Sequence, residues 1–187
     1  MPDTDQTQNA VSFLLEQHDE IRRLFDEVEQ SSGDARKEAF EALVRLLAVH
    51  ETAEEEIVYP ALSSVDDDGD AIAATRKAEE DQAKKDLVDL ERMGPASPDF
   101  EIAFKSFKSS VDAHASSEES EVFPLLVSSF DEGRLQQMAN ALRVAEQVAP
   151  THPHKMAPES AVGNLVVGPF VAVVDRVRDA LRSAAKP

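Results

Sequence analysis

The chain has 187 residues, enough for one domain with a single core and some C-terminal extension, and short for a second full domain. Its 37 acidic against 19 basic residues give a net charge of -18 and a pI near 4.5, which repels phosphate backbones and anionic lipid heads, so neither nucleic acid nor a membrane surface is an expected partner. Cysteine is absent, which excludes disulfides, thiolate metal sites and iron–sulfur clusters and leaves nitrogen and oxygen as the only donors for a metal.

Met1 to Asn9 is polar and acidic and lacks the basic start and apolar run of a secretory signal, and no later stretch is apolar enough to span a bilayer, so a cytoplasmic location is expected. From Val11 onward, Leu14, Leu15, His18, Ile21, Leu24, Phe25 and Val28 recur at three- and four-residue steps, predicting an amphipathic helix that ends near Gly33. A second helix is expected from Asp34 as N-cap, with Phe40, Leu43, Leu46, Leu47, His50, Glu54 and Ile57 on its inner side and an end or kink at Pro60. The acidic run Asp66 to Asp70 reads as a turn. Ile72, Ala73, Ala83, Leu87 and Leu90 then trace a third helix, weakly apolar in its middle and stopped by Met93-Gly94-Pro95.

Ser97 can cap a fourth helix whose stripe is Phe100, Phe104, Phe107, Val111, His114, Glu118 and Val122, ahead of Pro124. Four helices with short connections and no strand-like alternation predict an all-α, antiparallel up-down four-helix bundle over residues 8–131. Residues 132–187 are expected to form an extension packed on it: a helix from Leu135 to Val148, an extended Pro-rich segment from Ala149 to Gly168, and a last helix from Phe170 to Ala184.

One phrase occurs twice. His50 to Leu62 and, 64 residues further on, His114 to Leu126 both read His-x-x-x-Glu-Glu-x-x-Val-aromatic-Pro-x-Leu. On a helix, positions i and i+4 share a face, so each copy aims an imidazole and a carboxylate the same way. With His18 from the first helix, the inward faces supply His18, His50, Glu54, His114 and Glu118, the donor set of a bundle di-metal site in which carboxylates bridge two ions and imidazoles terminate each. Stepping back from Leu90, Leu87 and Ala83 lands on Glu80 as the third helix's contribution, although a small rotation would exchange it for Glu79 or Asp81, and Glu51 could also reach an ion. Three histidines and several carboxylates buried without a metal would leave charge uncompensated. Glu55, Glu56, Glu119 and Glu121 read as solvated helix-face residues. Tyr59, the only tyrosine, aligns with Phe123; its ring reads as packing, with a redox or hydrogen-bonding role as the alternative.

These residues resemble the hemerythrin-like, HHE cation-binding family of bacterial type, over Val11 to Phe130. The resemblance implies a non-heme di-iron centre, oxo- or hydroxo-bridged, with Glu54 and Glu118 as bridges and His18, His50 and His114 as terminal ligands. Nitrogen and oxygen donors also accept manganese or zinc, so iron comes from the resemblance alone. The chain departs from the family on its third helix, where one or two histidines are usual and Glu79-Glu80-Asp81-Gln82 stands instead, which weakens the case for dioxygen carriage. His152 and His154 read as surface loop histidines, with metal binding as the alternative. An anionic carboxylate in place of a neutral imidazole favours Fe(III) over Fe(II). The expected function is therefore catalase-like chemistry on hydrogen peroxide in oxidative stress defence. The alternatives are a ferroxidase, or a protein that binds or senses oxygen, nitric oxide or iron.

Overall fold

The computed structural model describes residues 8–148 and 175–181, and all regular structure among them is helical. Helix α1 (Ala10–Gln30) opens on Asn9, whose side chain accepts the Ser12 N–H at 3.1 Å, and closes at Ser31 ahead of Gly33. Leu14, His18, Ile21, Leu24, Phe25 and Val28 of the predicted stripe are buried and Phe13 joins them, while Val11 is half-buried and Leu15 is exposed.

Helix α2 (Gly33–Ala53) starts two residues earlier than expected, with Ser32 and not Asp34 at the cap. Gly33 has a φ of 57°, a left-handed conformation that glycine adopts without steric cost, and it lets the chain turn directly from α1 into α2. Pro60 does not end this helix. Residues Glu54–Val58 widen into a π-turn in which the Tyr59 N–H bonds the Glu54 carbonyl, and a short α3 (Tyr59–Ser63) continues along the same line. Proline lacks the N–H that residue 60 would give in a regular helix, and its ring crowds the preceding turn; the extra residue in the π-turn relieves both. The second copy behaves alike: α5 (Phe100–Ser117) passes through a π-turn at Glu118–Val122, with the Phe123 N–H on the Glu118 carbonyl, into α6 (Phe123–Ser129).

Between them lies α4 (Asp67–Met93). The acidic run is less a turn than a helix start. Asp66 is the N-cap, accepting the Gly69 N–H at 2.8 Å, and the residues after it lie in the first turn, where negative charge is favoured. Gly69 is required by proximity: a Cβ there would stand 2.4 Å from the Leu62 carbonyl oxygen. The fourth bundle helix is capped by Asp99, while Ser97 sits in the preceding turn and accepts the Asp99 N–H at 3.4 Å.

Helices α1, α2, α4 and α5 form the antiparallel bundle. Half of its length is filled by aromatic rings: Phe25, Phe40, Phe100, Phe104 and Phe107 stack or meet edge-on at centroid distances of 5.1 to 6.1 Å. The antiparallel order brings the early part of α1, the end of α2, the early part of α4 and the end of α5 together in the other half. Helix α7 (Glu132–Val148) lies on α1 and α2 and buries Leu135, Met138, Leu142 and Ala145 in the same core. Residues 175–181 are helical and add Val177 and Leu181 to that core. The predicted extended segment from Ala149 to Gly168, with His152 and His154, and the remainder of the final helix lie outside the described residues. Among the described residues no helix is long and apolar enough to cross a membrane.

Candidate metal centre

The half of the bundle opposite the phenylalanines is polar at its heart. His18, His50, Glu51, Glu54, Glu80 and Glu118 are buried, and His114 is nearly so. Two quartets of donor atoms form there, His18, His50, Glu54 and Glu118 in one, and Glu54, Glu80, His114 and Glu118 in the other, each within 4.8 Å. Glu54 and Glu118 belong to both. A carboxylate has two oxygens, so these two residues can each face two ions while the other donors serve one.

The six residues selected from the sequence are thus brought together, and on the third helix Glu80 points inward while Glu79 and Asp81 are exposed. Both shared carboxylates open a π-turn, where the wider backbone helps carry the side chain to the bundle axis. Glu51 is 4% exposed but stands outside both quartets, on the wall of a cavity that reaches the site.

The inner imidazole nitrogens face carboxylates. His18 Nε2 lies 3.3 Å from Glu118 Oε2, His50 Nε2 3.3 Å from Glu54 Oε2, and His114 Nε2 3.5 Å from Glu118 Oε1. Yet His18 Nε2, His114 Nε2, both Glu54 oxygens and Glu118 Oε2 are buried without a hydrogen-bond partner. Buried polar atoms are ordinarily paired, and orphaned atoms that converge from three helices are what a cation would satisfy. The donor set of oxygen and imidazole nitrogen fits a first-row transition metal.

The outer imidazole nitrogens are each held by a residue that the pattern of the sequence did not reveal. His18 Nδ1 meets Glu119 Oε1 at 2.9 Å, His50 Nδ1 meets Gln17 Oε1 at 3.0 Å, and His114 Nδ1 meets Glu79 Oε2 at 2.9 Å. Each contact fixes the ring and leaves Nε2 free to serve as a donor to a metal. Glu119 is therefore not a merely solvated residue; it also binds Arg22 at 2.8 Å. Glu55, likewise expected on the solvated face, is only 11% exposed in its side chain and pairs with Lys84 and with Arg178. Glu56 also reaches Arg178, at 3.2 Å, and Glu121 alone of the four is largely exposed. Tyr59 does more than pack: its hydroxyl lies 2.5 Å from Glu80 Oε1 and 2.7 Å from Glu118 Oε1. Its counterpart Phe123 stacks on the His18 ring at 5.5 Å. The alignment of Tyr59 with Phe123 hinted at a difference between the copies but could not locate the hydroxyl's partners.

Protonation follows burial and neighbours. Burial, reinforced by the Glu118 and Glu80 carboxylates, pushes Glu54 well above the usual carboxylate range. Glu80 rises for the same reason, with Glu51 adding to it, and burial lifts Glu51 itself to about 8. Burial opposes ionisation of Glu118 as well, but the His114 and His18 imidazoles outweigh it and hold that carboxyl far below the ordinary value. Burial and the nearby His18 press His50 down to about 3, whereas His114, which burial would also lower, is lifted to about 9 by Glu118 and Glu79. Four carboxyl groups so close cannot all ionise alone; cations there would compensate them and displace their protons.

The family model described as "Hemerythrin HHE cation binding domain" matches residues 9–126. An uncharacterized hemerythrin-like protein of Schizosaccharomyces pombe is 28% identical over 134 residues, covering 71% of this chain and 66% of that protein. A DNA nickase of Nostoc is 25% identical over 142 residues, covering 75% of this chain and 40% of that protein, so the chain spans less than two thirds of the length of either curated relative. Among solved structures, a hemerythrin HHE cation-binding domain-containing protein from Mycobacterium kansasii is similar, with a TM-score of 0.67, 27% identity, and coverage of 75% of this chain and 86% of that one. The matched segment runs from the cap of α1 into α6 and takes in every residue of both quartets, and on this ground the chain belongs to the hemerythrin HHE cation-binding domain family.

Proposed function

We propose that the protein holds two iron ions between α1, α2, α4 and α5 and decomposes hydrogen peroxide to water and dioxygen. His18 and His50 would serve one ion, His114 and Glu80 the other, with Glu54 and Glu118 shared. The observation that carries this reading is Glu80, a buried carboxylate where a histidine-rich site would offer a neutral imidazole. Extra negative charge beside the metals favours their higher oxidation state, which suits peroxide turnover better than reversible dioxygen carriage. Iron, when bound, supplies the electron transfer by which one peroxide is reduced and a second oxidised, so that two peroxides give two waters and one dioxygen.

The chain's own residues supply the rest. Glu119, Gln17 and Glu79 hold the three imidazole rings in place through Nδ1. Tyr59 spans Glu80 and Glu118, and its hydroxyl fixes the oxygens of both. Leu47 and Val111 place hydrocarbon beside the donors in the wall of the adjoining cavity. The nickase relative does not direct this reading toward DNA, because most of that protein lies outside the match and a net charge of -18 repels a phosphate backbone.

The test is oxygen evolution from hydrogen peroxide by iron-loaded protein, with Glu118→Ala as the control. Evolution no faster than that of an equal concentration of free iron defeats the proposal. Consumption of dioxygen on adding Fe(II), with iron retained, would identify a ferroxidase instead.

A further inference from the structure

A cavity of about 300 Å³ lies between α1, α2, α4 and α5, and four of the six candidate ligands, His18, His50, Glu80 and His114, line it. This volume is far larger than peroxide needs. A water's share of the liquid is about 30 Å³, and a cavity of about 150 Å³ already holds benzene. Apart from His18, His50, Glu51 and Glu80, the buried part of the wall is apolar, made by Ile21, Leu47, Val111 and Ala115, with the half-buried Ala83 beside them. The more exposed lining is acidic, with Glu79, Asp86 and Asp112. Arg22 is the one Lys or Arg among the lining residues, and Glu119 and Asp112 already engage its guanidinium, at 2.8 and 3.8 Å.

We propose that this cavity seats an uncharged organic molecule, an alkyl or aryl group of roughly six to ten non-hydrogen atoms carrying one hydroxyl or hydroperoxyl head. The apolar wall takes the hydrocarbon. The head lies toward the metal centre, whose candidate ligands His18, His50, Glu80 and His114 form part of the wall. An anion of the same size must pass the acidic lining and lie beside Glu51, a buried carboxyl with an oxygen that lacks any hydrogen-bond partner. The inference deepens the metal-centre reading by naming the class of molecule its open face admits, and it does not require that peroxide be turned over.

The test uses benzyl alcohol and benzoate as probes of the zinc-loaded full chain, followed by ligand-observed NMR, with zinc content measured in parallel. The alcohol is expected to bind and benzoate to bind about tenfold more weakly or not at all. Ala83→Phe places a ring inside the cavity and is expected to abolish alcohol binding with the zinc content unchanged. Ser110→Trp, made at an exposed position of the lining, should weaken it even if Ala83→Phe does not fold. Alcohol binding that survives in a folded blocked variant overturns the proposal, as does benzoate binding as tightly as the alcohol. Oxygen evolution from hydrogen peroxide is recorded separately. A chain that binds the alcohol yet evolves no oxygen keeps the cavity and loses the peroxide reading; the reverse result loses the cavity alone.

Discussion

Glu118 and Glu119 are adjacent in sequence and both touch His18, yet they should behave very differently when replaced. Glu118 is fully buried and shared by both quartets, so Glu118→Ala deletes a donor from each and is expected to lose one metal or both. Glu119 reaches only the outer nitrogen of His18, at 2.9 Å, and is 31% exposed in its side chain. Removing such an outer partner lowers metal affinity by about 10- to 100-fold, or roughly 1.4 to 2.8 kcal/mol. Because solvent can partly replace the lost carboxylate, Glu119→Ala should lie toward the lower end of that range. Elemental analysis at saturating metal is expected to find wild-type content in Glu119→Ala and a deficit in Glu118→Ala, while competition with a chelator measures the affinity. Equal metal loss in the two variants, or an affinity in Glu119→Ala within about twofold of wild type, would refute the assignment of one as ligand and the other as its support.

Gln17→Leu leaves the buried His50 Nδ1 without its partner and should cost about 1–3 kcal/mol in a denaturant melt; an unchanged midpoint would mean that the amide holds nothing. Gly69→Ala forces a methyl group toward the Leu62 carbonyl and is expected to destabilise by about 1–3 kcal/mol, whereas Gly133→Ala, whose nearest neighbour would be a side-chain oxygen at 3.4 Å, should be close to neutral. Stripping the metal should lower Tm, and Tm should then rise with added metal, since about 2.7 kcal/mol is gained at a hundredfold excess over Kd; a Tm indifferent to metal would contradict the convergence of unpaired donors.

Spacing alone located the bundle and the inward residues, because a helix repeats its faces every three or four positions and a buried site must lie on the buried face. Glu80 emerged in this way, from its register with Ala83, Leu87 and Leu90, even though the helix around it is weakly apolar. That weakness has a structural cause: between Ala73 and Leu87 the buried positions of α4 are Arg76 and Glu80. The outer partners were less legible. Glu79, Glu119 and Gln17 come from neighbouring helices, and no period within one helix encodes which carboxylate meets which ring across a groove. Caps were misplaced by two residues for a similar reason, since Ser32 and Asp34, or Ser97 and Asp99, offer equivalent chemistry to a helix start and only the backbone decides.

The doubled phrase accounts for the backbone more fully than for the site. Each copy places a glutamate at the head of a π-turn and a proline six residues later, so Glu54 and Glu118 arrive at the axis by the same local geometry. The aromatic before each proline then separates them. In the second copy Phe123 can only stack on His18, which supports a ring already held by Glu119. In the first, the added hydroxyl of Tyr59 crosses to Glu80 and Glu118 and ties the third helix to the fourth. One oxygen atom thus braces the carboxylate-rich side that Glu80 creates, and Tyr59→Phe should loosen that side alone: the His114 and Glu80 half of the metal complement should exchange faster than the His18 and His50 half. Loss of both metals at one common rate would show that the hydroxyl does not distinguish them.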